Sequence, residues 1–146
     1  METEFQATWV IPHILARSCR PGYPATLVRQ SAVDAWLVNV RALGIQSVIC
    51  LLAEEQLAFY RTLPTDLISY YRQAGLAVTP VPVRDHLPVP LSAEDLARVE
   101  AAYSPLPKPV LVHCSAGADR TGRAVRYLAQ LAQRTATLNR FNGNAI

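Results

Sequence analysis

The sequence has few cysteines, almost no lysine and no long apolar run. It has three cysteines, Cys19, Cys50 and Cys114, and a small, odd number of cysteines does not form a disulfide framework. The longest apolar run, Val48 to Ala53, is far shorter than the ~20 residues that a membrane-spanning helix needs. The first five residues, Met-Glu-Thr-Glu-Phe, are acidic and polar, unlike a secretory signal. We therefore expect a cytoplasmic protein in a reducing compartment, without a membrane span.

Positive charge is modest and comes almost entirely from arginine. The formal net charge is +3, and Lys108 is the only lysine among 14 basic residues. This excess is too small and too scattered to favour nucleic-acid binding, and it indicates a mild preference for anionic substrates. A length of 146 residues, of which 51% are hydrophobic, predicts one globular domain over residues 1–146.

Strand patterns recur along the chain. Alternating residues from Phe5 to Ile11 predict a half-exposed strand. Apolar runs without alternation at residues 48–52 and 110–112 predict strands that are covered on both faces, as in a parallel sheet. Residues 76–83 predict an irregular or edge strand, because two prolines interrupt them.

Helical patterns lie between and after these strands. Capping boxes predict the starts of two helices, at residues 31–34 and 92–95. Apolar spacing predicts another helix over residues 63–74, and a last helix begins at Thr121. This alternation predicts an α/β fold with a central, mostly parallel sheet flanked by helices. In such folds, ligands bind at the carboxyl ends of the strands.

A cysteine lies between the strand at residues 110–112 and the helix that begins at Thr121. Thiolates are stabilised near helix N-termini, where unpaired N–H groups and the helix dipole favour negative charge. The amides of the connecting loop can curl around one anion, and Gly117 supplies the backbone freedom for that curl. We expect the following loop residues to bind phosphate: Ser115, Ala116, Gly117, Ala118, Asp119 and Arg120.

Each remaining group of the loop suits one part in phosphate chemistry. Cys114 is the candidate nucleophile, and the guanidinium of Arg120 matches two phosphate oxygens. The hydroxyl of Thr121 can donate a hydrogen bond to the thiolate, and His113 can position the loop through side-chain hydrogen bonds. We expect Cys50, in mid-strand, to be a buried structural residue.

The segment His113-Cys114-x5-Arg120-Thr121-Gly122 resembles the protein tyrosine phosphatase signature, HCxxGxxR(S/T)G. The short region before it resembles the dual-specificity branch of that family. The resemblance implies a phosphatase-like fold. It also implies an enzyme that hydrolyses phosphotyrosine, with phosphoserine and phosphothreonine as further substrates. It also implies a cysteinyl-phosphate intermediate, no metal or other cofactor, an oxyanion in the active site, and phosphorylated proteins as partners.

The family also uses a loop aspartate as general acid. Asp85, in the segment Arg84-Asp85-His86-Leu87-Pro88, follows the predicted strand at 76–83 and lies one helix and one strand upstream of Cys114, which is the family's arrangement. The usual Trp-Pro-Asp loop is not present. Asp119 is the alternative, because some lipid-directed relatives use an acid inside the loop. Asp85 is preferred, since Asp119 would repel a bound dianion.

Other functions and other candidate residues stay open. A phosphoinositide or small-molecule phosphatase is the second hypothesis, although Ala118 stands where lipid-directed relatives often have lysine. A phosphate-binding module without turnover is the third, and the catalytic residues argue against it. Glu54 and Glu55 are expected to form a solvated helix start, with an ion pair to Arg120 as the alternative. Three arginines are candidates for the rim of the site or for ordinary surface positions: Arg84, Arg123 and Arg126.

Overall fold

The computed structural model describes residues 7–85, 88 and 91–143. It contains five strands: β1 Ala7–Ile11, β2 Leu15–Ser18, β3 Ser47–Cys50, β4 Ala77–Pro80 and β5 Val110–His113. They form one sheet in the order β1-β2-β5-β3-β4. Only β1 and β2 pair antiparallel, and the other neighbours are parallel. The predicted α/β fold with a mostly parallel sheet is confirmed. Phe5, His86 and Leu87, which the sequence analysis mentioned, lie outside the described residues.

The helices are α1 Gln30–Ala42, α2 Glu54–Leu57, α3 Leu67–Gln73, α4 Ala93–Tyr103 and α5 Asp119–Gly143, with a 3-10 turn at Ala58–Tyr60. Within the described part of the chain, none of them is both long enough and apolar enough to cross a bilayer.

The sheet separates two apolar cores. On one face, α1 and α3 pack through buried side chains such as Trp36, Val40 and Tyr71. On the other face, α4 and α5 pack through residues that include Val99 and Leu128. Because β3 and β5 lie in the middle of the sheet and are buried along their whole length, their sequences show no alternation.

Two predicted helix and strand boundaries need correction. The capping box at Ser31 and Asp34 is wrong, because α1 begins at Gln30, two residues earlier than a cap at Ser31 implies, and its N-cap, Arg29, makes no side-chain cap. Asp34 instead accepts a hydrogen bond from the Tyr70 hydroxyl. The second capping box, at residues 92–95, is confirmed. The strand expected over residues 76–83 is shorter, and β4 is an edge strand of four residues.

β2 was not predicted, and it decides where the site forms. It lies between β1 and β5, and Ser18 at its end is level with His113 at the end of β5. Cys50 at the end of β3 is level with the same histidine. The carboxyl ends of β2, β3 and β5 therefore meet at one edge of the sheet, so the residues after them are brought together.

Candidate active site

Cys114 directly follows β5 and begins a tight loop, residues 114–120, called the signature loop below. The loop packs closely against the end of β2. Gly117 has φ +77°, and a Cβ there would lie 2.4 Å from the carbonyl oxygen of Ser18. Glycine is therefore required both by the backbone conformation and by the close approach. The loop leads into α5, where the amide of Gly122 donates to the carbonyl of Ala118 over 2.7 Å.

The predicted nucleophile and the predicted phosphate-binding arginine are both buried, one at each end of the signature loop. Cys114 is 3% exposed and Arg120 is 2% exposed. The predicted loop residues 115–118 connect them, and Asp119 begins α5 with an exposed side chain. Their predicted part in binding phosphate is compatible with this placement and stays a prediction.

The Arg120 guanidinium is held from outside the signature loop. Its Nη1 donates to the carbonyl of Val83 at 2.8 Å and to that of Leu51 at 3.3 Å. The same nitrogen donates to Gln56 Oε1 at 3.0 Å. Its Nη2 lies 3.2 Å from Asp85 Oδ2. A planar group that is fixed along one edge in this way has its orientation determined before any ligand binds.

Gln56 connects Arg120 to the candidate acid, and the sequence analysis missed it. Its Nε2 donates to Asp85 Oδ2 at 3.1 Å, while its Oε1 accepts from Arg120 and from the Ala53 amide. Glu54 and Glu55 are exposed at the start of α2, as expected for a solvated helix start. A neutral amide, rather than either glutamate, orients the arginine. The signal was its position just beyond the carboxyl end of β3.

His113 positions the signature loop through a side-chain hydrogen bond to its first residue, as predicted. Its Nδ1 lies 3.0 Å from the carbonyl oxygen of Cys114, and its Nε2 lies 3.0 Å from the Tyr71 hydroxyl. Since a carbonyl only accepts, Nδ1 carries the proton and Nε2 accepts from tyrosine. Burial lowers the pKa of His113 to about 4, and the positive charges of Arg20 and Arg120 act in the same direction. The ring is therefore neutral near pH 7.

Two arginines from the end of β2 bond the outer side of the signature loop. Arg17 Nη2 donates to the carbonyls of Gly117 at 2.7 Å and Ala118 at 3.3 Å. The Arg20 amide donates to the Ser115 carbonyl at 2.9 Å, and its Nε donates to the Ser115 hydroxyl at 2.9 Å. Neither residue was a candidate from the sequence, because β2 itself was not recognised.

Thr121, Cys50 and Cys19 differ in burial and in hydrogen bonding. Thr121 is fully buried, and within the described residues its Oγ1 has no hydrogen-bond partner. Its expected donation to the charged sulfur stays a prediction. Burial raises the pKa of Cys50 to about 12, which suits the structural part expected for it. Cys19 is half-buried, and none of the three cysteines forms a disulfide in the described part of the chain.

The structure gives the exposure or the hydrogen bonds of the three arginines that were candidates for the rim of the site. Arg84 is exposed beside Asp85, while Arg123 Nε donates to the carbonyl of Leu91 at 2.9 Å and Arg126 Nε donates to that of Gly122 at 3.2 Å. Their contact with substrate stays a prediction.

Comparison with known proteins follows this geometry. The model of the tyrosine phosphatase family matches residues 89–137, which include the signature loop. No curated protein matches the chain. Among solved structures, kinase associated phosphatase (KAP), with serine in place of its catalytic-site cysteine, is 21% identical with a TM-score of 0.60. That match covers 78% of this chain and 65% of KAP.

Two further solved structures share the fold. The core catalytic domain of the PP-IP phosphatase SIW14 from S. cerevisiae is 19% identical with a TM-score of 0.56, covering 85% of this chain and 63% of that one. Tk-PTP is 20% identical with a TM-score of 0.52, covering 91% and 79%. The chain thus spans slightly less than two thirds of the length of KAP and SIW14.

Proposed function

We propose that this chain is a member of the cysteine-based tyrosine phosphatase superfamily and that it hydrolyses phosphotyrosine in proteins through a cysteinyl-phosphate intermediate. Phosphoserine and phosphothreonine are proposed as further substrates. The observation that carries the proposal is that the signature loop begins at the buried Cys114 and ends at the buried Arg120. The guanidinium of Arg120 is oriented by groups from the segments after β3 and after β4. The lack of a disulfide among the described residues suits the cytoplasm, which we propose as its location.

In the first step, the Cys114 sulfur attacks phosphorus and the bond from phosphorus to the leaving oxygen breaks. The loop amides and the Arg120 guanidinium stabilise the charge on the other three oxygens. The leaving oxygen takes a proton from Asp85, so tyrosine departs as the neutral phenol. The products of this step are a cysteinyl-phosphate, the dephosphorylated tyrosine residue of the substrate protein and an Asp85 carboxylate.

In the second step, water attacks the phosphorus of the cysteinyl-phosphate. The Asp85 carboxylate takes the proton of that water, and the sulfur–phosphorus bond breaks. Inorganic phosphate and the Cys114 thiolate are released, and Asp85 is again protonated. The buried hydroxyl of Thr121, which has no hydrogen-bond partner among the described residues, is available to donate to the sulfur as it regains its charge.

The position of Asp85 supports it over Asp119 as the acid. Its Oδ2 already contacts the guanidinium that is expected to grip the phosphate, and its side chain is 28% exposed. Phosphate oxygens would compete with this carboxylate for Arg120 Nη2, because both bind the same donor. A carboxyl group displaced from Nη2 by phosphate would face the substrate from the side of Gln56. Asp119 is exposed at the start of α5.

A phosphoinositide or other small phosphate ester is the second candidate substrate class. The specific observation in its favour is the likeness in fold to SIW14, whose name describes a PP-IP phosphatase. The number of arginines around the loop also suits a substrate with more than one phosphate. Arg17, Arg20 and Arg120 all contact or belong to the loop. A phosphate-binding module without turnover remains the third candidate.

The experiment that separates these functions is hydrolysis of a matched panel. Phosphotyrosine, phosphoserine and phosphothreonine peptides, phosphoinositides and inositol pyrophosphates are each assayed for released phosphate, with Cys114→Ser as the control. We expect the tyrosine peptides to give the highest kcat/KM, and the variant to bind phosphate esters but not turn them over. Preference for the inositol compounds would favour the second candidate, and turnover by Cys114→Ser at the wild-type rate would refute the mechanism.

A further inference from the structure

Arg20 is a buried cation beside the signature loop. Only 2% of it is exposed, although it carries one of the longest side chains in the protein. Its Nε donates to the Ser115 hydroxyl at 2.9 Å, and its Nη1 lies 3.4 Å from the Tyr60 hydroxyl. The guanidinium stacks over Phe59 at 4.8 Å and near Tyr23 at 5.5 Å from the ring centroids. These contacts fix its position without neutralising its charge.

The groups around Arg20 remain uncharged. No carboxylate of residues 7–85, 88 and 91–143 forms an ion pair with it. Burial raises the pKa of Tyr60 well above the usual range, and its hydroxyl donates to the Pro21 carbonyl at 2.6 Å. Tyr60 is therefore neutral at physiological pH and cannot act as a counter-ion.

A buried charge without a counter-ion is costly, so such charges are normally paired with an opposite one. The nearest place for an anion is the signature loop, because Arg20 bonds Ser115 through both main chain and side chain, and Ser115 follows Cys114 directly. The charge also acts on His113, the residue before Cys114, whose pKa it helps to lower. The residues on both sides of the nucleophile are thus within its influence.

We infer that Arg20 is a second cation of the phosphate site, acting through Ser115 to stabilise negative charge on the Cys114 sulfur and on bound phosphate. It is a positioning residue, since it does not belong to the loop and its guanidinium contacts the loop from outside. This inference rests on the proposed function, in which the sulfur and the phosphate carry negative charge. It also gives a reason for an uncompensated guanidinium in the interior of the protein.

Arg17 does not share the role proposed for Arg20 in stabilising negative charge at the phosphate site. It is half-buried, and its Nη2 donates to the carbonyls of Gly117 and Ala118, which only accept and so have no proton to donate to an anion. Arg20 instead bonds a hydroxyl, which can accept from the guanidinium and donate its own proton towards the loop. The hydroxyl of Ser115 therefore links the charge of Arg20 to the anion.

The test measures the electrostatic potential at Cys114 without requiring turnover. The intact protein is alkylated with iodoacetate, which is negatively charged, and with iodoacetamide, which is neutral, and labelling of Cys114 is followed by mass spectrometry. The ratio of the two rates reports the local positive potential, because a structural change would affect both reagents alike. Inhibition by inorganic phosphate gives a second measure of anion binding.

We compare Arg20→Met, which keeps the length and the packing against Phe59, with Arg20→Lys, which keeps the charge. Arg134→Gln, on the exposed distal part of α5, is the control for net charge. In Arg20→Met we expect the iodoacetate-to-iodoacetamide ratio and phosphate affinity to fall about tenfold. We expect its thermal stability to be kept or raised, since an unpaired buried charge has been removed. Arg20→Lys should recover most of the ratio, and Arg134→Gln should not change it.

Each outcome separates the inference from the proposed function. A wild-type Cys114 that is no more reactive than Cys19 or Cys50 would count against the phosphatase proposal itself. A reactive Cys114 whose rate ratio is unchanged in Arg20→Met would overturn only the role of Arg20. If Arg20→Met does not fold, Arg20→Gln replaces it, and failure of both neutral variants to fold would assign Arg20 to the fold and overturn the inference.

Discussion

Asp85 Oδ2 lies 3.2 Å from Arg120 Nη2, so the candidate acid and the candidate phosphate-binding arginine form an ion pair. The other terminal nitrogen of Arg120 is engaged with Val83, Leu51 and Gln56. We therefore expect substrate and Asp85 to compete for Nη2. The candidate acid is thus held at the site by Arg120, the same residue that is expected to bind the phosphate of the substrate.

The first prediction concerns the shape of the Arg120 side chain. Arg120→Lys keeps the charge but cannot bond the carbonyls of Leu51 and Val83 while presenting a second nitrogen to phosphate. We expect kcat/KM for an aryl phosphate to fall by more than tenfold, equivalent to a loss of at least about 1.4 kcal/mol of transition-state stabilisation. Arg134→Lys on α5 is the matched control. A smaller loss would mean that the planar geometry contributes little.

The second prediction concerns Gln56. Gln56→Ala removes one bond to Arg120 and one to Asp85, so both groups should be less well oriented. We expect kcat/KM to fall about tenfold, with most of the effect in kcat, because orientation matters most in the transition state. Glu55→Gln, which changes an exposed neighbour, should have little effect. If Glu55→Gln is the more damaging variant, the ion pair considered from the sequence would be favoured instead.

The third prediction concerns stability at low pH. His113 has a pKa of about 4 in the folded protein against 6.5 in the unfolded chain, mainly because it is buried. Between these values the unfolded chain binds a proton that the folded protein does not. The free energy of unfolding therefore decreases as pH falls from about 6.5 towards 4, by up to about 3 kcal/mol from this residue.

Urea denaturation at pH 7, 5.5 and 4.5 measures that decrease. His113→Asn keeps a donor for the Cys114 carbonyl but does not titrate, so its stability should fall less steeply over this range. His13→Asn is the control, because it also removes one histidine but at an exposed position away from the signature loop. Equal slopes for the wild type and His113→Asn would show that His113 does not resist protonation.

The parts of the site that are contiguous in sequence were predictable. The strand, Cys114, the signature loop and α5 follow one another, and each local pattern agrees with the next. Asp85 could also be predicted from the sequence, because it directly follows an apolar segment and lies on the loop before α4. Gln56 and Arg20 were not predicted, because only the strand order β2-β5-β3 brings them to the loop. β2 has four residues and no clear alternation, so its position next to β5 had no local signal.

The capping box at the start of α1 shows the opposite limit, a local pattern that tertiary contacts override. Ser31 and Asp34 have the right spacing, but Asp34 bonds the Tyr70 hydroxyl of α3, and the helix begins at Gln30. A motif of two residues therefore carried less information than the signature segment, in which several residues had to agree.

The last prediction concerns the general acid. Asp85→Ala should slow substrates with poor leaving groups far more than those with good ones, because a tyrosyl or alkyl oxygen needs a proton as the phosphorus–oxygen bond breaks. An activated phenolate leaves without one. General acid catalysis typically contributes about 10²–10⁴-fold, so kcat for a tyrosyl phosphate should fall within that range. The fall in kcat at high pH should also flatten, since it reports loss of the proton from the acid.

Asp119→Ala is the matched control, and it tests the alternative directly. Asp119 is exposed at the start of α5, whereas Asp85 contacts Arg120 and Gln56, so we expect Asp119→Ala to affect good and poor leaving groups alike. Loss of the Asp85 carboxylate also removes the competitor for Arg120 Nη2, so phosphate should inhibit Asp85→Ala more strongly than the wild type. If the leaving-group dependence instead appears in Asp119→Ala, the acid lies inside the signature loop. The ion pair between Asp85 and Arg120 would then serve to hold the arginine, and the second candidate substrate class would gain support.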